Sequence, residues 1–174
     1  MARRLSFSRA VLTLDHVAET HNDTEKGLRF YYSAPGIAYR DVKFVAYTPQ
    51  EVQHELRERL GELDINAAFS TLAALEASFR TDFLVRCYER KKDVLSRHFR
   101  NVYKVRGDRV TLESDILGGW KQHFPATKAL ISQIIGAFRY RHWVAHGRYW
   151  MPKLGRRYDF LSVYLLAQTM HRHF

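Results

Sequence analysis

The sequence has 174 residues, with 28 Lys+Arg against 18 Asp+Glu, nine His, one Cys and a formal charge of +10. That length suits one domain, and 46% hydrophobic with 14% aromatic residues is enough to bury a core, which argues against global disorder. The lone Cys87 allows no intramolecular disulfide, and no run of about 18 apolar residues is present to span a membrane. The basic start, Met1-Ala-Arg-Arg, lacks the apolar core of a signal peptide, so a cytoplasmic protein with no membrane partner is expected.

Leu5–Thr20 carries Ala10, Val11, Leu14, Val17 and Ala18 at helical spacing, which predicts a first helix ended by the turn signal His21-Asn-Asp-Thr. Leu28–Tyr47 is aromatic-rich, is broken by Pro35-Gly36 and reads as extended or irregular. Thr48-Pro49-Gln50-Glu51 is a helix start: Thr48 can cap, Pro49 fits the first turn and Glu51 can close a capping box. That helix is expected to reach about Glu62. Asp64 can cap a longer one through about Lys91, with Ile65, Ala68, Phe69, Leu72, Leu75, Phe79 and Phe83 along one stripe. Asp93–Tyr103 either continues it or forms a separate helix. Lys104–Leu112 reads as a small hairpin turning at Gly107-Asp108.

A short helix is expected from Glu113, loosened at Gly118-Gly119. Pro125 opens the most regular segment, which runs to about His146 with Gly147 as its stop. Asp159 can cap a last helix, Phe160–His171. The expected fold is all-α, an antiparallel bundle of five or six helices with a small hairpin insertion. It forms a single domain over residues 1–174, with a helical core at 48–174 and no role assigned to residues 1–47.

The charge is unevenly placed. Ile116–Tyr158 contains no Asp or Glu, yet it holds Lys121, Lys128, Arg139, Arg141, Arg148, Lys153, Arg156 and Arg157. It also holds all three Trp (Trp120, Trp143 and Trp150), with Phe124, Phe138, Tyr140, Tyr149 and Tyr158. Interleaved cations and aromatic faces suit a single-stranded nucleic acid, whose phosphates need neutralising and whose bases stack. Arg139, Arg148, Lys153, Arg156, Arg157, Trp143 and Trp150 are therefore candidate RNA contacts. A solvated basic face beside ordinary core aromatics is the plainer alternative.

A helical wheel refines the Pro125–His146 segment. With Phe138 at 0°, Ile131 falls at about +20°, Ile134 at about −40° and Ile135 at about +60°, defining an apolar stripe. Arg141 falls at about −60° and His146 at about +80°, on opposite margins, with His142 inside at about +40°. So wide a separation cannot grip one phosphate on an ideal helix. Convergence needs the last turn to unwind at Gly147, or a second copy of the helix packed across the stripe to build a composite site.

Arg141-His-Trp-Val-Ala-His146-Gly147 resembles the Arg-x4–6-His signature of HEPN domains, all-helical modules of many RNA-targeting toxins and defence proteins. The resemblance extends loosely over Thr48–Phe174. It implies a HEPN-like homodimer that cleaves RNA without metal or cofactor, Arg141 and His146 being the catalytic pair and His142 the polar residue after the Arg. Arg9/His16 and Arg139/His146 also meet the bare pattern. Arg141/His146 is set apart by the end of a long amphipathic helix, the Gly stop and the acid-free basic segment.

The chemistry is consistent with this. Attack of the RNA 2′-hydroxyl on phosphorus needs a base, an acid and positive charge on the phosphoryl oxygens. His can be base or acid, and Arg can fork onto phosphate. His146 could alternatively serve as a helix cap for the last carbonyls. His142 and His146 are also half of a zinc site, but HWVAH lacks the Glu of the zinc-protease motif and no third ligand is evident, so no metal is expected.

Glu76 falls inside the apolar stripe of its helix, about 40° from Leu72, and needs a partner there. Arg80 at i+4 is the local one. Glu76 can also orient Arg141 or His142 from a facing helix, as the acidic residue on an earlier helix of HEPN proteins implies. In one branch of that family a Tyr shortly after the His is modified by a nucleotidyltransferase antitoxin. Tyr149 stands at a longer spacing, and with Trp150 it can instead anchor the loop. The sequence thus points to a HEPN-type endoribonuclease in a toxin or defence role, against a non-catalytic helical module that binds RNA or a partner protein.

Overall fold

A helix begins where a side chain takes up its unpaired N–H groups at a point where the following residues wind, and Thr13 does so here. In the computed structural model, which describes residues 7–8, 10–33 and 42–174, the Thr13 hydroxyl accepts the His16 N–H at 3.1 Å and α1 spans Leu14–Tyr31. The expected start at Leu5, like Arg9 of the alternative motif, lies outside the described residues, and Ala10–Leu12 are not helical. The expected turn at His21-Asn-Asp-Thr is helical too. Thr24 returns its hydroxyl to the Thr20 carbonyl at 2.7 Å, and Asp23–Lys26 and Glu25–Arg29 pair across successive turns. Local partners of this kind keep a polar run helical. Leu28–Tyr31 complete α1 rather than beginning an irregular stretch; Pro35-Gly36 lie outside the described residues. Val42–Phe44 form a 3-10 turn, and Phe44 clusters with Tyr32, Val52 and Leu56.

The expected capping box forms at Thr48 and Glu51, and from it α2 runs unbroken over Pro49–Tyr88, 40 residues, or about 60 Å. The expected end at Glu62 and restart at Asp64 are therefore corrected. Gly61 weakens a helix interior by about 1 kcal/mol relative to Ala, too little to break one packed on both sides of that point. The acids that resemble a boundary serve other elements instead. Glu62 accepts Arg148, and Asp64 accepts the Phe160 N–H at 3.1 Å.

Asp93 caps a separate helix, α3 (Val94–Arg106), by accepting the Ser96 N–H at 3.0 Å. The expected hairpin is not there. Lys104–Arg106 continue α3 because Tyr103 packs inward against Phe83 and Tyr88, and Gly107–Arg109 make a 3-10 turn. Among the described residues there is no strand. Leu112–Leu117 wind as a π-helical turn and run into α4 (Gly118–His123), so the expected loosening at Gly118-Gly119 coincides with a change of winding. Pro125–Thr127 lead into α5 (Lys128–Ala145), and α6 is Phe160–His171 on an Asp159–Ser162 capping box, as expected.

The result is an all-α helical bundle with α2 as its spine; α1, α3, α5 and α6 all pack on it. One core cluster centres on Phe79, Phe83, Phe99, Trp120, Ile131 and Ile134. The second, Ala68, Leu72, Ala137, Tyr140, Tyr158 and Val163, lies beneath the end of α5. Among the described residues no helix is long and apolar enough to cross a membrane.

Candidate functional site

The buried face of α5 is Ile131, Ile134, Ala137 and Tyr140. Its centre is rotated by roughly 70° from the stripe drawn around Phe138. Ile135 and Phe138 become a half-buried margin, Arg141 turns toward α2, and His142, expected inside the stripe, is exposed. The cause is packing that an aliphatic stripe does not register. Gly136 has no Cβ, and the Tyr158 phenolic oxygen occupies the space one would fill. Tyr158 in turn stacks on Tyr140 at 5.6 Å between ring centroids.

Arg141 meets α2 in two ways. Its Nη1 is 2.8 Å from Glu76 Oε2, and its guanidinium carbon lies 5.6 Å from the Phe69 ring centroid. Glu76 also accepts Arg80 Nε at 2.8 Å, so the local and the cross-helix partner expected for it are both present. The Arg141 Nε is buried and has no hydrogen-bond partner among the described residues.

At its C-terminus α5 stays wound through Ala145. His146 N–H donates to the His142 carbonyl, Gly147 N–H to Val144 and Arg148 N–H to Trp143, each at 3.1 Å. Gly147 (φ +77°) and Arg148 (φ +58°) take the left-handed turn that makes this closure possible. The last turn is thus not unwound at Gly147, and backbone donors already satisfy those carbonyls, leaving the His146 imidazole free of a capping task. It lies 4.2 Å from the His142 ring, centroid to centroid, and 6.5 Å from that of Trp150. Among the described residues no group of three or more His, Cys, Asp or Glu is placed to hold a metal ion.

The following loop is tied down at several points. Trp143 Nε1 donates to the Trp150 carbonyl at 2.7 Å. Arg148 forks onto Glu62 at 2.7 and 3.0 Å, holding that carboxyl below its ordinary range. Arg156 lies over Tyr158 at 5.4 Å. Tyr149 is 83% exposed and edge-on to Trp150.

Beside α5 opens a cleft of about 560 Å³. Its apolar lining comes from Ile135, Phe138, Leu112, Leu117, Pro152 and Leu154, and its polar lining from Glu76, Glu113, Arg139, Arg141, His142 and Lys153, with Trp150. It brings together Arg141, His142, Glu76, Arg139, Lys153 and Trp150 of the expected site. His146, Tyr149, Arg148, Arg156, Arg157 and Trp143 are not among its lining residues.

The basic segment is also partly neutralised, Arg141 by Glu76 and Arg148 by Glu62. Arg139, Lys153 and Arg157 form no ion pair among the described residues. Trp120, Tyr140 and Tyr158 are buried, which removes them as stacking platforms. Sequence reasoning did not find Glu62 or Glu113. Glu62 resembled part of a helix boundary, and Glu113 a helix start; only tertiary placement reveals their partners or lack of them.

No protein-family model matches this chain, and neither curated proteins nor solved structures include a significant match.

Proposed function

We propose that this chain is a metal-independent endoribonuclease of the HEPN type, acting as a homodimer in a toxin or defence role. The observation that carries this reading is Arg141. Its guanidinium is held by Glu76 and Phe69 in the wall of a cleft, at the same helix end as the touching imidazoles of His142 and His146. A fixed guanidinium can stabilise the charge that develops on phosphoryl oxygens as a 2′-hydroxyl attacks phosphorus and the 5′-oxygen leaves. One imidazole takes the hydroxyl proton and another protonates the 5′-oxygen. Because α5 stays wound, Arg141 and His146 of one copy diverge, and a second copy laid across the helix end supplies the missing partner. Tyr149 and Met151, 83% and 93% exposed, offer surface for that contact.

The second reading is a non-catalytic helical module that binds RNA or a partner protein, favoured by His146 lying off the cleft lining. RNA cleavage by wild type and His146→Ala, side by side and in excess chelator, decides between them. The enzyme reading expects metal-independent cleavage by wild type and none by the variant, with binding largely kept. Wild type that binds RNA but never cuts it overturns that reading. A protein that stays monomeric at micromolar concentration by light scattering removes the composite site. Toxicity on expression in a bacterial host, lost in Arg141→Ala and His146→Ala, is the corresponding test of the toxin role.

A further inference from the structure

The cleft has two carboxylates among its cations, and they differ in state. Glu76 is saturated, with Oε1 on Arg80 and Oε2 on Arg141. Glu113 is exposed, and its carboxylate makes no hydrogen bond or ion pair among the described residues. An unpaired carboxylate works against phosphate binding in a cleft that also presents unpaired Arg139 and Lys153. Its placement is nevertheless built. Two residues on, Asp115 is buried and accepts the Thr111 N–H and hydroxyl at 2.8 and 2.9 Å, with Arg106 at 3.3 Å. That anchor holds the π-helical turn whose Leu112, Glu113 and Leu117 all line the cleft, and π-helical turns recur at functional sites.

We propose that Glu113 is a specificity-determining residue that selects guanine in a single-stranded RNA entering this cleft. The inference rests on the reading of the cleft as an RNA site. A carboxylate offers two parallel acceptors and no donor. Among the four RNA bases, guanine alone presents two adjacent donors on its Watson–Crick edge, N1–H and the N2 amino group. Uracil sets one N–H between two carbonyl oxygens, which a carboxylate repels. Adenine and cytosine each pair one amino donor with a ring-nitrogen acceptor. Phe138 and Trp150 provide faces on which the base can stack, while Arg139 and Lys153 meet the flanking phosphates. The apolar flank of Leu112 and Leu117 strengthens the hydrogen bonds by lowering the local dielectric.

The test uses fluorescent five-nucleotide RNAs, 2′-O-methylated so that they cannot be cut, that differ only in a central G, A, C or U. Binding to the full chain and to Glu113→Gln is measured by anisotropy. Wild type is expected to favour the G oligonucleotide by about tenfold or more. Glu113→Gln is expected to lose that ratio with opposite signs, weaker for G and somewhat tighter for A, C and U as a negative charge leaves the cleft. Equal binding of all four by wild type, or a G preference that survives Glu113→Gln, overturns the inference and leaves the RNA-site reading standing. Failure to bind any of the four overturns both.

Discussion

Two arginines in this bundle are built from the same parts and end in different states. Arg86 and Arg141 each meet a carboxylate on α2 and the face of an aromatic ring. Arg86 Nε reaches both oxygens of Asp82 at 2.7 and 2.8 Å, its Nη1 reaches Asp93 and Ser96, and its guanidinium lies 5.2 Å from Trp120. Side-chain exposure there is 9% and 7%. Arg141 has a single contact to a carboxylate shared with Arg80 and is 33% exposed. The number of donors the fold has already used separates an arginine that holds the protein together from one with capacity left for a ligand.

The largest expected effect tests that distinction. Arg86→Ala removes the buried cation that pairs with Asp82, and breaking a buried pair in this way costs about 3–5 kcal/mol. Arg141→Ala removes a half-buried pair but leaves Glu76 with Arg80, so a smaller loss of about 1–2 kcal/mol is expected. Urea denaturation of both variants reads the difference directly. RNA cleavage should rank them the other way, with Arg141→Ala slowed by about 10²–10³-fold. Equal destabilisation by the two substitutions would mean that Arg141 is a structural residue like Arg86.

Next in size is the contact that turns Arg141 toward α2. A methyl at Gly136 overlaps the Tyr158 oxygen, and overpacking of this kind costs about 1–3 kcal/mol. Gly136→Ala should therefore lower the melting temperature. Adding Tyr158→Phe, which removes the overlapped atom, should restore part of the loss. A double variant no better than the single one would show that the backbone, not the phenol, resists the methyl.

How far the sequence revealed these features follows the range of the interaction. Caps act over three residues, so Thr48 with Glu51, and Asp159, could be identified along the chain. So could the α5 stop at Gly147, because a left-handed residue there is a local need. The errors came where a distant element overrode local chemistry. Glu62 and Asp64 serve Arg148 and Phe160, 86 and 96 residues away. Likewise Ala137 and Tyr140 outrank Ile135 and Phe138 as core because Tyr158 packs against them. Arg141 and Glu76 were both visible as candidates. Arg80, Arg141 and His142 were all open as partners of Glu76, and the neutralisation of Arg148 by Glu62 was not visible at all.

A smaller effect is expected at Glu76 itself. Glu76→Gln keeps the shape but removes the charge that positions Arg141 while opposing phosphate. RNA affinity should rise slightly while cleavage slows by about tenfold, equivalent to about 1.4 kcal/mol. A single-turnover rate unchanged from wild type would assign Glu76 to stability alone.

The pH dependence of these pairs is a smaller effect with the clearest sign. Burial pushes the Asp82 carboxyl up despite Arg86, whereas Arg148 holds the exposed Glu62 carboxyl down. For Asp82 the folded state keeps its proton longer than the unfolded chain. Its contribution to stability therefore falls as pH rises from the ordinary carboxylate value through the raised folded one. For Glu62 the folded state releases its proton sooner. Its contribution is complete above the ordinary carboxylate value and is lost as pH falls through the lowered folded one. Denaturation midpoints between about pH 3 and 7 should thus diverge from wild type in opposite directions for Asp82→Asn and Glu62→Gln, starting from ordinary carboxylate pKa values near 4. The Glu62 term should stay within about 1 kcal/mol, as for other exposed pairs. Parallel curves for the two variants would mean that the sealed and the open ion pairs respond to pH alike, and the contrast between them would then rest on geometry alone.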